Sequence, residues 1–396
     1  MTREEFIKKT ALLGLGTAFL PSLLTSCKEE DEGFEVNFSG RVIIIGAGAA
    51  GLMAGHLLQQ HNIDFEILEA DTAIGGRVKK LEGFTDFPID LGAEWIHTDP
   101  SVFGELIQDD NIEGNIELIP YDPQTYQTWH NGRLRNQNWV SNLYSEYKFK
   151  KTTWFDFFEQ YIVPPFASRI RTSTPVTAID YAGDQIEVVT DDGTSFKADK
   201  VIVTVPLTIL QKGLIDFAPA LPANKLDALE EVSMPDGLKV FLKMKERFYP
   251  DMLMMHNLVG YFSKSHLYID GAFKKDTSDN LLTLFSVDTE ATQYTSLGSD
   301  SRILTRVLDE LDEIFDGKAS ANLEKSHVQN WSAQPYIQGS YSHYDNNFTS
   351  VQNALRETVD RKLYFAGEAY HEEASSTVHG AGFSGIDAAK AILKGE

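Results

Sequence analysis

Two glycine-rich segments at opposite ends of this chain carry the residue types and spacings best suited to chemistry. Gly46-Ala47-Gly48-Ala49-Ala50-Gly51 follows an apolar run over residues 41–45. In a turn of this kind Gly46 permits the tight bend and Gly48 lets a diphosphate approach the backbone. Ala50 lies in the turn, and Gly51 lets the following helix pack against the strand. Glu69 ends the next apolar run, where a carboxylate accepts hydrogen bonds from ribose hydroxyls and disfavours a 2′-phosphate. Gly75-Gly76-Arg77 follows, and the planar fork of an arginine suits phosphate oxygens. Near the other end, residues 363–366 run into Gly367-Glu368, and Thr377-Val378 lead into Gly380, Gly382 and Gly385. A lone glycine turn says little. A second glycine segment so far along the chain points to a nucleotide fold assembled from distant pieces.

The elements that must position these residues follow from periodicity. Strand, glycine turn, a helix over 52–60 and a second strand over 64–69 make a βαβ beginning. From 98 to 166 the composition turns aromatic and polar, with Trp129, Trp139 and Trp154, which reads as a first insertion. Residues 186–196 form a hairpin around Asp192-Gly193. The apolar run 200–206 returns to the nucleotide fold, and a second insertion of alternating strands runs from 238 to about 344. Residues 363–365 and a helix from about Gly380 close the first domain. The expected fold class is α/β. A Rossmann-type βαβ domain is assembled from 40–97, 166–235 and 345–396, beside an α+β mixed-sheet substrate domain from 98–165 and 236–344.

Bulk properties bound the function. The 396 residues suffice for two domains, and a net charge of −23 at pH 7 argues against nucleic acid as a partner. That charge serves solubility and also concentrates cationic small molecules. Residues 1–26 read as a signal peptide: Arg3, Lys8 and Lys9 flank an apolar run too short to span a bilayer comfortably. It ends in Leu24-Thr25-Ser26-Cys27, which resembles a bacterial lipobox and implies acylation at Cys27. Residues 27–39 form an acidic linker resembling the export signal of surface lipoproteins. The expected location is the bacterial outer membrane, on its periplasmic face or at the cell surface. Cys27 is the only cysteine.

Along almost the whole of the expected mature chain, further motifs resemble the flavin-containing amine oxidases: monoamine oxidases, polyamine oxidases and flavin histone demethylases. They are Gly75-Gly76-Arg77, the stretch 89–97, the strand around Val176, the stretches 201–207 and 237–250, Trp331 through Tyr341, and Gly367-Glu368. The resemblance implies FAD, held non-covalently, since no cysteine is available to tether it and Ser340 stands where monoamine oxidases carry that cysteine. It implies that Gly92, Ala93, Glu94 and Trp95 run under the flavin ring and that Val176 pairs with adenine. Trp331 would face the flavin, Glu368 would bond the ribityl chain, and Thr377 and Val378 would lie by the pyrimidine end. For the reaction it implies Lys239 on a water at flavin N5, Tyr341 as one wall of an aromatic cage, and His97 on the substrate. Hydride transfer from the amine α-carbon would give an imine and then an aldehyde, and O2 would be reduced to peroxide.

Two departures matter. Thr377 stands where monoamine oxidases have a second cage tyrosine, which favours bulkier or secondary amines. Asp71 stands where many relatives have an arginine near the adenine ribose. A polyamine or other extended amine is the leading substrate class. An L-amino acid oxidase is a rival, although Trp95 occupies the place of the arginine that would grip the carboxylate. A carotenoid-type desaturase shares the glycine motifs but needs neither Lys239 nor Tyr341. A surface lipoprotein that binds FAD without turnover is the non-enzymatic alternative.

Overall fold

The computed structural model describes residues 34–107, 116–138, 146–255, 266–344 and 348–396. The leader, Cys27, the first part of the linker and Trp139 lie outside the described residues.

The glycine turn belongs to a five-stranded parallel sheet. Its order is Ile170–Arg171, Asp64–Leu68, Arg41–Ile45, Lys200–Val203 and Leu363–Phe365. Val42, Ile43, Ile44, Val201 and Ile202 are fully buried. A parallel sheet is covered on both faces, so its strands read as continuous apolar runs instead of alternating ones. The helices Ala49–Gln60 and Val378–Lys394 share a core on one face, and the hairpin of Ile186–Thr190 and Ser195–Ala198 packs on the other. The hairpin turns where expected, with Gly193 at φ +80°.

Two glycines set how closely these parts meet. A Cβ on Gly51 would lie 2.0 Å from the carbonyl oxygen of Gly46, and one on Gly385 would lie 2.0 Å from that of Ala50. The N-terminal and C-terminal helices therefore touch backbone to backbone, which joins the two ends of the sequence at one place.

The second part is a seven-stranded sheet in the order Leu323–Asn330, Gly237–Met244, Asn280–Val287, His266–Asp270, Met252–Met254, Tyr126–His130 and Arg133–Asn136. All its pairings are antiparallel except Met252–Met254 with Tyr126–His130, so the sheet is mixed as expected. Helix Asp300–Ile314 covers it with Ile303, Val307, Leu311 and Ile314, an apolar stripe at helical spacing.

Residues 98–165 divide between the two parts, whereas the sequence pattern assigns them all to the second. Phe103, Leu106, Trp154 and Phe157 are buried in the core beneath helix Ala49–Gln60, while the hairpin 126–136 extends the seven-stranded sheet. Aromatic composition marked an insertion but could not say which core its side chains would fill. A small sheet, in which Glu146–Phe149 pairs with Trp95–Ile96 and Leu118–Tyr121, bridges the two parts.

Candidate functional site

A cleft of about 500 Å³ runs between the two parts, and segments from both ends of the chain line it. At one end are Gly46, Gly48, Ala50, Glu69, Gly76, Arg77 and Val176. Gly46 holds φ +105°, which glycine alone adopts readily. At Gly48 an added Cβ would find only the Gly75 carbonyl oxygen, 3.9 Å away, so its backbone stands open to the cleft. Gly48 caps helix Ala49–Gln60 without a side-chain hydrogen bond, and the first turn carries no acidic residue. That leaves backbone N–H groups and the positive end of the helix dipole to an anion. Gly51 lies behind this surface and serves the packing described above.

Glu69 is buried, and its oxygens accept from Ala47 N at 2.6 Å and from Asp71 N at 2.8 Å. Burial pushes its carboxyl up, and the two backbone bonds oppose the shift. The carboxylate thus braces the glycine turn from within while facing the cleft. Asp71, the departure noted in the sequence, pairs with Lys79.

Arg77 does not stand alone beside the turn. Its Nη1 donates to the Ser340 carbonyl at 2.8 Å and to Glu368 Oε1 at 2.8 Å. Glu368 also accepts from Ser342 N at 3.1 Å, Ser342 Oγ at 2.6 Å and Ser376 N at 3.1 Å. Four donors fill a carboxylate's capacity. Both its oxygens tie Arg77 to the segments before the C-terminal helix, and Glu368 lines the same cleft.

At the other end the cleft is lined by Gly92, Ala93, Glu94, Trp95, His97, Lys239, Trp331, Tyr341, Gly367, Thr377 and Val378. A Cβ on Gly92 would lie 1.9 Å from the Arg77 carbonyl oxygen. Trp331 is fixed by a 3.2 Å bond from Nε1 to the Leu91 carbonyl. The Thr377 hydroxyl accepts from Gly380 N at 3.0 Å and donates to the Ala374 carbonyl at 2.7 Å. It is the N-cap of the last helix, a role that threonine before a helix often takes.

Lys239 is the most unusual residue here. It lies in the middle of a strand paired on both sides, opposite Phe285 and Gln329, and is only 2 % exposed. A solvated lysine on an amphipathic strand is thereby excluded. Its Nζ donates to Glu94 Oε2 at 2.7 Å and to the Asp90 carbonyl at 3.4 Å. Lys148 pairs with the other oxygen of Glu94. Burial alone would push the Glu94 carboxyl up, but Lys148 and Lys239 outweigh it and hold it at about 2. The Glu94 side chain thus meets two ammonium groups, both from the protein.

His97 faces the cleft with Nδ1 2.7 Å from Glu146 Oε1. Opposite an ionised carboxylate Nδ1 is the donor, and in the neutral ring Nε2 is then the acceptor nitrogen. Burial, helped by His97 and His371, pushes nearby His379 down to about 4. Glu146 and Lys148 were not singled out from sequence. Their alternation with Tyr147 and Phe149 is the one local signal, and it reads equally well as a solvated edge. Only pairing with Trp95–Ile96 turns them towards the site.

All the sequence-derived candidates therefore meet in one cleft, except Gly51 beneath it and Cys27 outside the described residues. Residues 49–153 and 166–393 match the family model "Flavin containing amine oxidoreductase". Human lysine-specific histone demethylase 2 is 27 % identical over 89 % of this chain, which spans only 53 % of that protein. Polyamine oxidase 1 of Zea mays is 24 % identical over 89 % of this chain and 90 % of its own. Among solved structures, cyclohexylamine oxidase from Brevibacterium oxydans superposes with a TM-score of 0.74 at 18 % identity, covering 90 % of this chain and 99 % of that one. Wild-type putrescine oxidase bound to putrescine gives 0.73 at 14 % over the same shares. Likeness at these identities speaks to the fold, whereas the family match spans most of the sequence. The chain belongs to the flavin containing amine oxidoreductases, and its cofactor is FAD.

Proposed function

We propose that this protein is an FAD-dependent amine oxidase that favours a polyamine or another extended amine. The observation that carries the reading is the single cleft with a diphosphate-suited glycine turn at one end and buried Lys239, Tyr341 and His97 at the other. The cleft fits FAD: the backbone is open at Gly48, the helix N-terminus is free of a side-chain cap, and Arg77 lies alongside. Gly46, Gly48, Ala50, Glu69, Gly76 and Val176 would hold the dinucleotide end, with Gly92 to Trp95, Trp331, Thr377 and Val378 around the ring. When bound, FAD supplies the electron acceptor for the hydride leaving the amine α-carbon.

The chain's own groups do the rest. Tyr341 offers an aromatic face that orients an approaching amine. His97, held by Glu146, presents Nε2 as an acceptor for an amine N–H, and an extended substrate has a second nitrogen to place there. The Lys239 ammonium favours negative charge that builds in the cleft during oxygen reduction. Apolar walls from Trp95, Phe285 and Trp331 limit water around the reacting carbon. The similarity to a polyamine oxidase along nearly the whole chain supports the substrate class.

The discriminating experiment compares spermine, spermidine and phenethylamine as substrates, with peroxide as the readout. Spermine or spermidine should give a kcat/KM at least tenfold above that of phenethylamine. The reverse order would move the specificity to monoamines. We also propose that Cys27 anchors the protein to the bacterial outer membrane, on the strength of Leu24-Thr25-Ser26-Cys27. Labelled palmitate should enter the full chain and not the C27S variant; equal labelling of both would refute the anchor.

A further inference from the structure

Behind the wall that carries Lys239 lies a second, much smaller cavity, lined in part by Asp90, Glu94, Lys148, Lys275 and Thr283. Glu94 borders both it and the cleft and so stands between them. Lys239 approaches Glu94 from the cleft side and Lys148 from the back. Lys148 is held opposite Trp95 in the small bridging sheet, with its side chain 4 % exposed. Its Nζ lies 5.4 Å from the ring centre of Trp95 and 4.8 Å from that of Tyr121. The Lys239 Nζ lies 5.6 Å from the same Trp95 ring.

We propose that Glu94 and Lys148 are positioning residues for Lys239. Glu94 ties the Lys239 ammonium to the cleft wall, and Lys148 leaves the triad with one net positive charge that favours electrons on the bound flavin. The inference rests on the assignment of Lys239 made above.

The physical argument is a charge count in a dry place. Two lysines share one carboxylate, and burying an ammonium is costly unless it is paired, so the second cation needs a reason to be there. The other ionisable groups nearby do not cancel it. Burial and the Glu94 charge push Asp90 up to about 8, while burial and Lys148 push Lys275 down to about 8. With both near 8, at neutral pH Asp90 is protonated and Lys275 keeps its proton, so neither brings a negative charge that would offset the second lysine. Asp270 lies 3.1 Å from Arg247, which also pairs with Asp251, and burial pushes the Asp270 carboxyl up, towards its neutral form. Burial, first of all, keeps the Tyr121 phenol protonated. A cation fixed before the reaction begins stabilises developing negative charge without reorganisation. Lys148 does not line the cleft, so it acts through Glu94 and through its field, without touching substrate.

The test uses the holoprotein. Lys148→Met removes the rear cation but leaves Glu94 on Lys239, so no carboxylate is orphaned. The flavin midpoint potential, measured by equilibration with redox dyes, should fall by a tenfold change in equilibrium constant, ~30 mV for a two-electron couple. K148R should restore it, and K148Q should reproduce the fall if K148M does not fold. Glu94→Gln keeps the shape and releases the tie. Reoxidation should then slow at least tenfold with the KM for the amine unchanged. A wild-type potential in K148M or K148Q at full FAD content would overturn the role of Lys148. Wild-type reoxidation in E94Q would overturn that of Glu94. Failure of the underlying assignment shows separately, as unchanged reoxidation in Lys239→Met.

Discussion

Lys239→Met is expected to slow reoxidation of the reduced flavin by ~10²–10³-fold, the usual scale for loss of one preorganised charge-stabilising group. FAD content should stay close to that of the wild type. Methionine conserves most of the lysine's volume, so the strand between Asn280–Val287 and Leu323–Asn330 keeps its packing. Removing one partner of a buried ion pair ordinarily costs several kcal/mol, because the other is left as an unpaired charge. Here Lys148 remains on Glu94, which cushions that loss. Rapid mixing of the anaerobically reduced protein with oxygenated buffer reads the effect directly. A rate within twofold of the wild type would show that the buried ammonium does not serve the reaction with oxygen.

The second large effect separates folding from cofactor binding with two glycines. Gly385→Ala places a methyl 2.0 Å from the Ala50 carbonyl oxygen, where neither backbone can yield without parting the two helices. Overpacking of this kind costs ~1–3 kcal/mol and more when the contact is backbone. The apoprotein should melt earlier, and flavin should be lost because the glycine turn moves with its helix. Gly48→Ala meets nothing closer than 3.9 Å and holds φ −79°, which any residue adopts. Its apoprotein should melt within ~0.5 kcal/mol of the wild type, as ordinary exposed substitutions do. Its methyl would stand in the cleft, so its Kd for FAD should rise at least tenfold. Thermal melting of the two apoproteins beside FAD titration checks both. Equal melting temperatures for G385A and the wild type would refute the close helix contact, and unchanged FAD affinity in G48A would refute the diphosphate site.

These contrasts also show which parts of the molecule were legible in the sequence. The glycine turn, Glu69 and the apolar strands could be read because their meaning is local: a bend, a strand end, a run buried on both faces. Lys239 and Tyr341 were reached through resemblance, since neither spacing nor periodicity marks a lysine in an apolar strand as functional. The burial and ion pairing of Lys239 come from the sheet and from a segment that arrives from elsewhere. Glu146 and Lys148 were hidden for the same reason. Their strand looks solvated until Trp95–Ile96 is laid beside it. Glu368 was legible as a motif residue but not as the hub that joins Arg77, Ser342 and Ser376. The split of residues 98–165 between two cores was equally out of reach, because aromatic content does not say which neighbour it will face.

The most direct test of amine oxidase activity is the visible spectrum of the protein beginning after Cys27, recorded anaerobically before and after adding spermine, spermidine or phenethylamine. The structure predicts a yellow protein that bleaches with at least one of them and regains its colour in air as peroxide forms. A stable yellow protein that none of the three bleaches would contradict the amine oxidase reading while leaving the FAD site intact, and a colourless protein that takes up no added FAD would contradict both.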